Sequence, residues 1–151
     1  WPLADAPMPP AIVVSPATHT IGKSWQMVTH GELPQPRTAP AAHASHLLAL
    51  PEQSPYSIAA FWFAGERESA PDVRIAMSLL ERQTQTWRDA QWVVDRHAMG
   101  AALGHGLRRL GNPVAWIDAQ QRIHVFVVAT GLGGWAASRV LHLRWIGCWP
   151  S

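Results

Sequence analysis

Apolar and polar residues alternate in short stretches along the middle of the chain, and turns rich in polar residues, proline or glycine separate these stretches. Strands with period-two alternation at a spacing of about ten residues are typical of an antiparallel meander. The pattern predicts four such strands, at residues 43–50, 57–64, 72–80 and 87–95. Together they predict one four-stranded sheet, which is the size of a propeller blade.

The strand pattern stops after Asp95 and returns further along the chain. Residues 97–110 are rich in alanine but contain Gly100, Gly104 and Gly106, which weaken a helix, so we expect a short helix or an irregular insertion. The returning pattern predicts three more strands, at residues 113–117, 122–130 and 138–145. A second, incomplete meander thus follows the first, and repeated meanders indicate a radial array of blades.

The predicted fold class is therefore all-β, with antiparallel four-stranded meanders forming the first one and a half to two blades of a β-propeller. Residues 1–42 are rich in proline, which lacks a backbone donor, and are predicted as an extended lead-in with two short strands. Residues 43–151 are predicted as a partial propeller, with blade 1 at about 43–95, an insertion at 96–111 and blade 2 at about 112–145. Two blades cannot close a ring, so self-association through open sheet edges is expected.

Composition and charge exclude several classes of protein. The hydrophobic content of 48% argues against disorder. The net charge is only +2, and the arginines after Asp95 are spread along the chain, so no nucleic-acid partner is expected. No apolar stretch is long enough for a membrane span, and Cys148 is the only cysteine, so no intrachain disulfide forms. The compartment stays open, although removal of a leader before Trp1 would favour a periplasmic or secreted location.

The stretch from Ala60 to Ser78 is the most informative part of the sequence. It joins an apolar strand, a glycine turn, an arginine between two glutamates (Arg67), and an aspartate (Asp72) at the start of the next strand. This stretch resembles the first blade of the bacterial sialidase (neuraminidase, BNR-repeat) family. The resemblance extends to three more segments, at residues 43–51, at 110–116 together with 122–126, and at 133–135.

The resemblance implies a sialidase-type propeller and a retaining exo-α-sialidase-type glycoside hydrolase acting on terminal acidic sugars. In that family an aspartate is the acid/base, arginines hold the sugar carboxylate, and a tyrosine activated by a glutamate is the nucleophile, an exception to the two-carboxylate scheme. By position, Asp72 is the implied acid/base. Arg67 is the implied carboxylate-binding residue, because a guanidinium holds a carboxylate through two hydrogen bonds. The expected partner is a sialylated or other acidic glycan.

Three further residues are predicted to contact the sugar. His43 would stand in for an arginine, Asn112 would offer an amide, and Trp135 would stack on a sugar ring. Each has a structural alternative, since a tryptophan also fills β cores and a histidine is often satisfied within the fold. For Asp72 the alternative is a set of turn hydrogen bonds, and for Arg67 it is an exposed ion pair with a neighbouring glutamate.

No cofactor or metal is expected from the sequence. No Cys/His cluster has zinc spacing. His43 and His46 are three residues apart, so on a regular strand they are expected to face opposite sides and could not chelate an ion together.

The chain departs from the family pattern in ways that leave a second function open. Residues 78–87 lack the aspartate and glycine of a sialidase Asp-box, and His43 begins the segment where the family has an Arg-Ile-Pro motif. Tyr56 is the only tyrosine and lies in the first hairpin, so the resemblance implies that the nucleophile and the remaining arginines follow Ser151. The alternatives are a non-catalytic carbohydrate-binding propeller and an unrelated small β domain with a binding role.

Overall fold

The computed structural model describes residues 12–13, 15–21, 25–68 and 70–146, with side chains from residue 30 onwards. The described residues form antiparallel sheets with one short helix, so the predicted all-β class is confirmed, and two of the sheets are consistent with propeller blades. The strands are β1 Ile12–Val13, β2 Ser15–Ile21, β3 Trp25–His30, β4 Ala41–Ala49, β5 Tyr56–Gly65, β6 Arg74–Glu81, β7 Thr86–Trp87, β8 Gln91–Val94, β9 Arg109–Ile117, β10 Ile123–Thr130 and β11 Arg139–Arg144. Helix α1 is Arg96–Leu103, and a 3₁₀ turn spans Gly134–Ala137.

The first sheet has the strand order β1-β7-β6-β5-β4, and β8 also pairs with β6. Its centre is the β5–β6 hairpin, in which Tyr56 lies opposite Glu81 and Ala64 lies opposite Arg74. Most residues of the hairpin are buried on both faces, which explains its nearly continuous apolar sequence. The hairpin therefore orients the loop at its far end, after Gly65.

The second sheet has the order β11-β10-β9 and packs against the first. The inward side chains of β10, among them Val125 and Val127, share one hydrophobic core with Phe61 and Ile75 of the first sheet. The opposite face of the second sheet carries exposed apolar side chains, at Val114, Trp116 and Val140. One face of this sheet thus builds the core, and the other faces outwards.

A smaller core lies on the far face of the first sheet. Trp62 is at its centre, and Leu33 and Ala39 from the segment before β4 pack over it. The indole Nε1 of Trp62 donates a hydrogen bond to Oε1 of Gln35 at 3.2 Å. The segment before β4 is therefore fixed to the sheet by apolar contacts and by this hydrogen bond.

The structure differs from the sequence prediction in where strands begin and end. The strand predicted at residues 87–95 is two strands, β7 and β8, which both pair with β6. Strand β9 begins at Arg109, ahead of the predicted start at Pro113, which lies opposite Val127 within the strand. Proline is tolerated there because β9 is an edge strand of its sheet, where a missing N–H costs no ladder bond.

The lead-in and the insertion both contain regular elements, as the two short strands and the short helix considered for them from the sequence would require. The lead-in at residues 1–42 contains the antiparallel pair β2–β3, and β1 adds to the first sheet by pairing with β7. The insertion after β8 begins with helix α1, whose N-terminus is capped by the side chain of Asp95. The helix ends at Gly104, which adopts a left-handed conformation with φ of 70°.

Candidate functional site

The loop between β5 and β6 carries two of the predicted site residues, Arg67 and Asp72. Asp72 closes the loop, because its Oδ2 accepts a hydrogen bond from the backbone N–H of Glu66 at 2.8 Å. Gly65 is needed at the loop entrance, since a Cβ there would stand 3.1 Å from the Cα of Val73. Local sequence therefore holds Arg67 and Asp72 in one short, closed loop.

Both side chains in this loop are exposed. The hydrogen bond to Glu66 is one that a purely structural aspartate would accept, but it uses only one of the two carboxylate oxygens of Asp72. Within the described part of the chain, Arg67 forms no ion pair with Glu66 or Glu68. The loop thus presents a guanidinium and a carboxylate to solvent, and their roles towards a sugar stay predictions.

His43 lies on β4 beside the entrance to the same loop, because Ala41 pairs with Gly65 and His43 pairs with Phe63. The imidazole of His43 is exposed and stacks on the Phe63 ring with centroids 5.2 Å apart. The side chain therefore stands at the rim formed by the loop and the first residues of β4.

A β-bulge changes the orientation of the second histidine on this strand. Ala44 has a φ of 49°, and the register shifts so that His43 pairs with Phe63 while His46 pairs with Phe61. Phe61 and Phe63 both belong to the core between the sheets, so the two histidines lie on the same face. The expectation that they face opposite sides was wrong, because the bulge adds one residue between them.

Asn112 and Trp135 lie together on the second sheet. Trp135 belongs to the 3₁₀ turn between β10 and β11, and its ring covers Gly111, where a Cβ would stand 3.2 Å from the indole. The indole remains 46% exposed. Asn112, the residue after Gly111, is also exposed.

The predicted site residues of both sheets lie at one end of the fold. Val94 at the end of β8 pairs with Ile75 near the start of β6, and α1 begins just after it. From that helix, Arg96 Nη1 donates to the backbone oxygen of Leu107 at 3.2 Å, just before β9 begins. The β5–β6 loop, the start of β4 and the start of β9 therefore share a rim.

The space beside Asp72 is a small cavity of about 220 Å³, shared with Arg74, Asp95, Arg96 and other residues of the rim. The guanidinium of Arg74 lies 5.0 Å from the centre of the Trp92 ring, which is within cation–π range. Arg74 is thus held against Trp92, on the side of the sheet away from β4.

Comparison with protein families agrees with this architecture. The family described as BNR repeat-like domain matches residues 56–145, which is more than half of the chain. The chain belongs to this family. The matched range includes Arg67, Asp72, Asn112 and Trp135 and leaves His43 outside. No curated protein and no solved structure matches the chain.

Tyr56 of this BNR repeat-like domain lies far from the rim. It is the first residue of the ten-residue strand β5, whereas Asp72 follows the last. At about 3.3 Å per residue, the two ends of β5 lie roughly 30 Å apart. Tyr56 is also 2% exposed, and its hydroxyl accepts a hydrogen bond from Arg88 Nη1 at 3.1 Å. Tyr56 therefore cannot reach a sugar held at Asp72.

The described residues contain neither a metal-binding cluster nor a membrane-spanning helix. No group of three or more His, Cys, Asp or Glu side chains in that part of the chain is arranged to hold a metal ion. None of its helices is long and apolar enough to cross a membrane.

A hydrogen-bonded chain of three side chains crosses the second sheet of the BNR repeat-like domain, and sequence reasoning missed it. The carboxylate Oδ2 of Asp118 lies 2.9 Å from Nε2 of His124, and Nδ1 of His124 lies 2.7 Å from Nε2 of His142. Asp118 and His124 are buried, and His142 is exposed. Since ionised Asp118 can only accept, Nε2 of His124 donates the hydrogen bond between them.

Asp118 is the acidic member of these three hydrogen-bonded side chains. Burial alone would raise its pKa, but hydrogen bonds from His124 and from the backbone N–H and guanidinium of Arg122 outweigh burial. The pKa of Asp118 therefore lies well below its ordinary value, and the carboxyl is ionised in the folded protein near neutral pH.

We expect Asp118→Asn to lower the midpoint of thermal unfolding at pH 7. The midpoint of the variant should also change less between pH 7 and pH 3 than that of the unsubstituted protein. Because the folded pKa is below the unfolded one, the stabilisation from Asp118 is complete above the unfolded value of about 3.9 and is lost as pH falls towards the folded value. Thermal unfolding at pH 7 and pH 3 measures both effects. Asp89→Asn, at an exposed position, is the control, and equal losses in the two variants would contradict this role.

Proposed function

We propose that this BNR repeat-like chain supplies the sugar-binding rim of a sialidase-like exo-glycosidase that hydrolyses terminal acidic sugars from glycoconjugates. The observation that carries the proposal is the pairing of exposed Arg67 and Asp72 in one closed loop after the β5–β6 hairpin. Membership of the BNR repeat-like family supports it, because sialidase-like glycosidases commonly contain this repeat.

In this proposal Arg67 binds the carboxylate of the sugar. A guanidinium presents a planar set of N–H donors that matches a carboxylate with two parallel hydrogen bonds. Arg67 has no ion pair to give up within the described structure, so no internal bond opposes the interaction. His43, at the same rim, would add a donor to the acidic sugar or pack against it.

Asp72 is the proposed acid/base. Its bond from the Glu66 N–H fixes Oδ2 and orients the carboxyl group, so Oδ1 is left to exchange a proton with the glycosidic oxygen. Trp135 and Asn112 extend the rim on the second sheet and suit the aglycone, because an exposed indole stacks on a sugar face and an amide bonds to hydroxyls.

The proposed catalytic set needs a nucleophile that the described rim does not contain. Tyr56 is the only tyrosine of the sequence and is buried at the opposite end of β5. A second candidate function is a non-catalytic carbohydrate-binding propeller that uses the same rim, and it is favoured by residues 78–87, which lack the aspartate and glycine of a sialidase Asp-box. Both candidates require that the chain bind an acidic sugar, and they differ in whether the natural full-length protein turns a sialoside over.

We expect Arg67→Ala to weaken binding of the α-methyl glycoside of sialic acid by about 10- to 100-fold. The estimate follows from about 1.5–3 kcal/mol for a hydrogen bond to a charged group. Ligand-observed NMR titration of the chain measures the dissociation constant, with methyl galactoside as the neutral comparison.

Arg144→Ala is the matched control for this titration. It removes the same charge from the far end of β11, where Arg144 pairs with His124 and not with rim residues. Equal weakening by the two substitutions would mean that net charge, and not the Arg67 site, binds the sugar. Equal affinity for the acidic and the neutral glycoside would exclude both candidate functions.

A further inference from the structure

A basic cleft lies next to the 3₁₀ turn that carries Trp135. Its volume is about 610 Å³, and its walls are the residues before β9 and the loop between β10 and β11. The charged and titratable side chains that line it are His105, Arg108 and Arg139, with no carboxylate among its lining residues. The cleft is therefore a concave surface of one charge sign, which favours anions.

One of its arginines is held in position by a histidine. Nδ1 of His105 lies 3.1 Å from the backbone oxygen of Leu103, so this nitrogen carries the proton. Nε2 of His105 is then an acceptor, and Arg139 Nη1 donates to it at 2.6 Å. A guanidinium has five N–H donors, so this single bond orients Arg139 and leaves donors for a ligand.

The second arginine, Arg108, is positioned by a backbone hydrogen bond. The backbone N–H of Arg108 donates to the oxygen of Thr130 at 2.8 Å, which fixes the chain at the mouth of the cleft while the side chain remains exposed. At two cleft glycines, Gly106 and Gly131, a Cβ would meet no heavy atom within 4 Å, so the space between the walls is open.

The cleft continues the surface that carries the aromatic platform. Ala137, in the same 3₁₀ turn as Trp135, is one of its lining residues. Gly133 keeps this turn tight, because a Cβ there would collide with the Cβ of Ala137 at 2.5 Å. The turn that carries an indole suited to a sugar face therefore adjoins a cleft lined by two arginines suited to carboxylates.

We infer that this cleft is a second acidic-sugar subsite, in which Arg108 and Arg139 bind the carboxylate of the next residue of an acidic oligosaccharide. The chain would then prefer a glycan with two successive charged sugars over one that carries a single terminal charge. The identity of the ligand as an acidic glycan rests on the proposed function. The expectation that the cleft binds an anion rests on its own lining residues.

The test compares three probes on the full chain by calorimetric titration: the α-methyl glycoside of sialic acid, its α-linked dimer, and a sialyl-galactose disaccharide. We expect the dimer to bind at least about tenfold more tightly than the monosaccharide, as one added charge-assisted contact gives. Sialyl-galactose, which has the same length and one charge, should gain less than the dimer, because only the aglycone contacts at Trp135 and Asn112 are added. An equal gain for sialyl-galactose would overturn the inference, because length and not charge would cause it.

Variants separate the cleft from the Arg67 loop. Arg108→Ala and Arg139→Ala should reduce the gain in affinity of the dimer over the monosaccharide to that of sialyl-galactose, without changing monosaccharide affinity. Arg67→Ala should weaken binding of both ligands and keep their ratio. Arg139→Lys keeps the charge and loses the planar fork, so it should restore only part of the ratio. Thermal unfolding of each variant verifies the fold.

Two outcomes distinguish the failure of this inference from that of the proposed function. A ratio that survives both Arg108→Ala and Arg139→Ala overturns the cleft as a subsite and leaves the Arg67 site intact. Dimer binding that depends on Arg139 but not on Arg67, with no monosaccharide binding, supports the anion-binding cleft and overturns the proposed function.

Discussion

Replacing Trp62 with alanine is expected to lower the free energy of unfolding by about 3–5 kcal/mol. Trp62 is 2% exposed and packs between Leu33, Ala39 and the small side chains of the first sheet. Its removal would leave a large cavity and would release the segment before β4, which the Gln35 side chain also fixes through the indole. Because domains are stable by only about 5–15 kcal/mol, this loss would dominate the stability of the variant.

Urea unfolding followed by circular dichroism measures this loss, and two variants serve as controls. Trp62→Phe keeps an aromatic ring and removes the hydrogen bond to Gln35, so it should cost less than the alanine substitution. Trp135→Ala removes an indole that is 46% exposed and should leave the free energy of unfolding nearly unchanged. Similar losses for Trp62→Ala and Trp135→Ala would contradict the separation of core from rim.

These two tryptophans show what composition could not decide. The chain contains nine tryptophans, and each could fill a core or offer a platform to a sugar. Trp62 lies in a strand in which neighbours on both sides are apolar, so its burial was predictable. Trp135 follows two glycines, and its exposure depends on the 3₁₀ turn that folds its ring over Gly111, which periodicity does not report.

The fold was predictable where pattern is local and strong. The β5–β6 hairpin was predicted because an apolar run, a glycine turn and a second apolar run determine both strands and their connection. The start of β9 was missed because Pro113 was interpreted as a strand start, although an edge strand accommodates proline internally. The bulge at Ala44 was missed because a left-handed alanine has no sequence signature.

The candidate site was predictable to the same extent. Arg67 and Asp72 are five residues apart, so one loop brings them together whatever the rest of the chain does. The hydrogen bonds that link Asp118, His124 and His142 depend on the register of strands β10 and β11, which the sequence alone does not predict. The pair of Arg139 and His105 joins positions 34 residues apart and depends on how α1 leads into β9.

In the natural full-length protein, Asp72→Asn is expected to lower kcat/KM for a natural sialoside by about 10²- to 10⁴-fold, the usual contribution of a general acid. Asparagine keeps the size of the side chain and an oxygen that can accept the Glu66 N–H, so the loop should stay closed. What the substitution removes is the proton that the proposal assigns to the leaving oxygen. Initial rates of release from sialyl-lactose measure this loss.

The leaving group tests whether the loss comes from proton donation. A 4-methylumbelliferyl sialoside has an acidic leaving group that departs with little protonation, so Asp72→Asn should slow its release far less than that of sialyl-lactose. A merely structural aspartate would slow both substrates by the same factor, since a distorted loop affects binding of each. Failure of the unsubstituted protein to release either product, while it still binds sialic acid through Arg67, would instead identify a carbohydrate-binding propeller. The ratio of the two rates, more than either rate alone, therefore decides the role of Asp72.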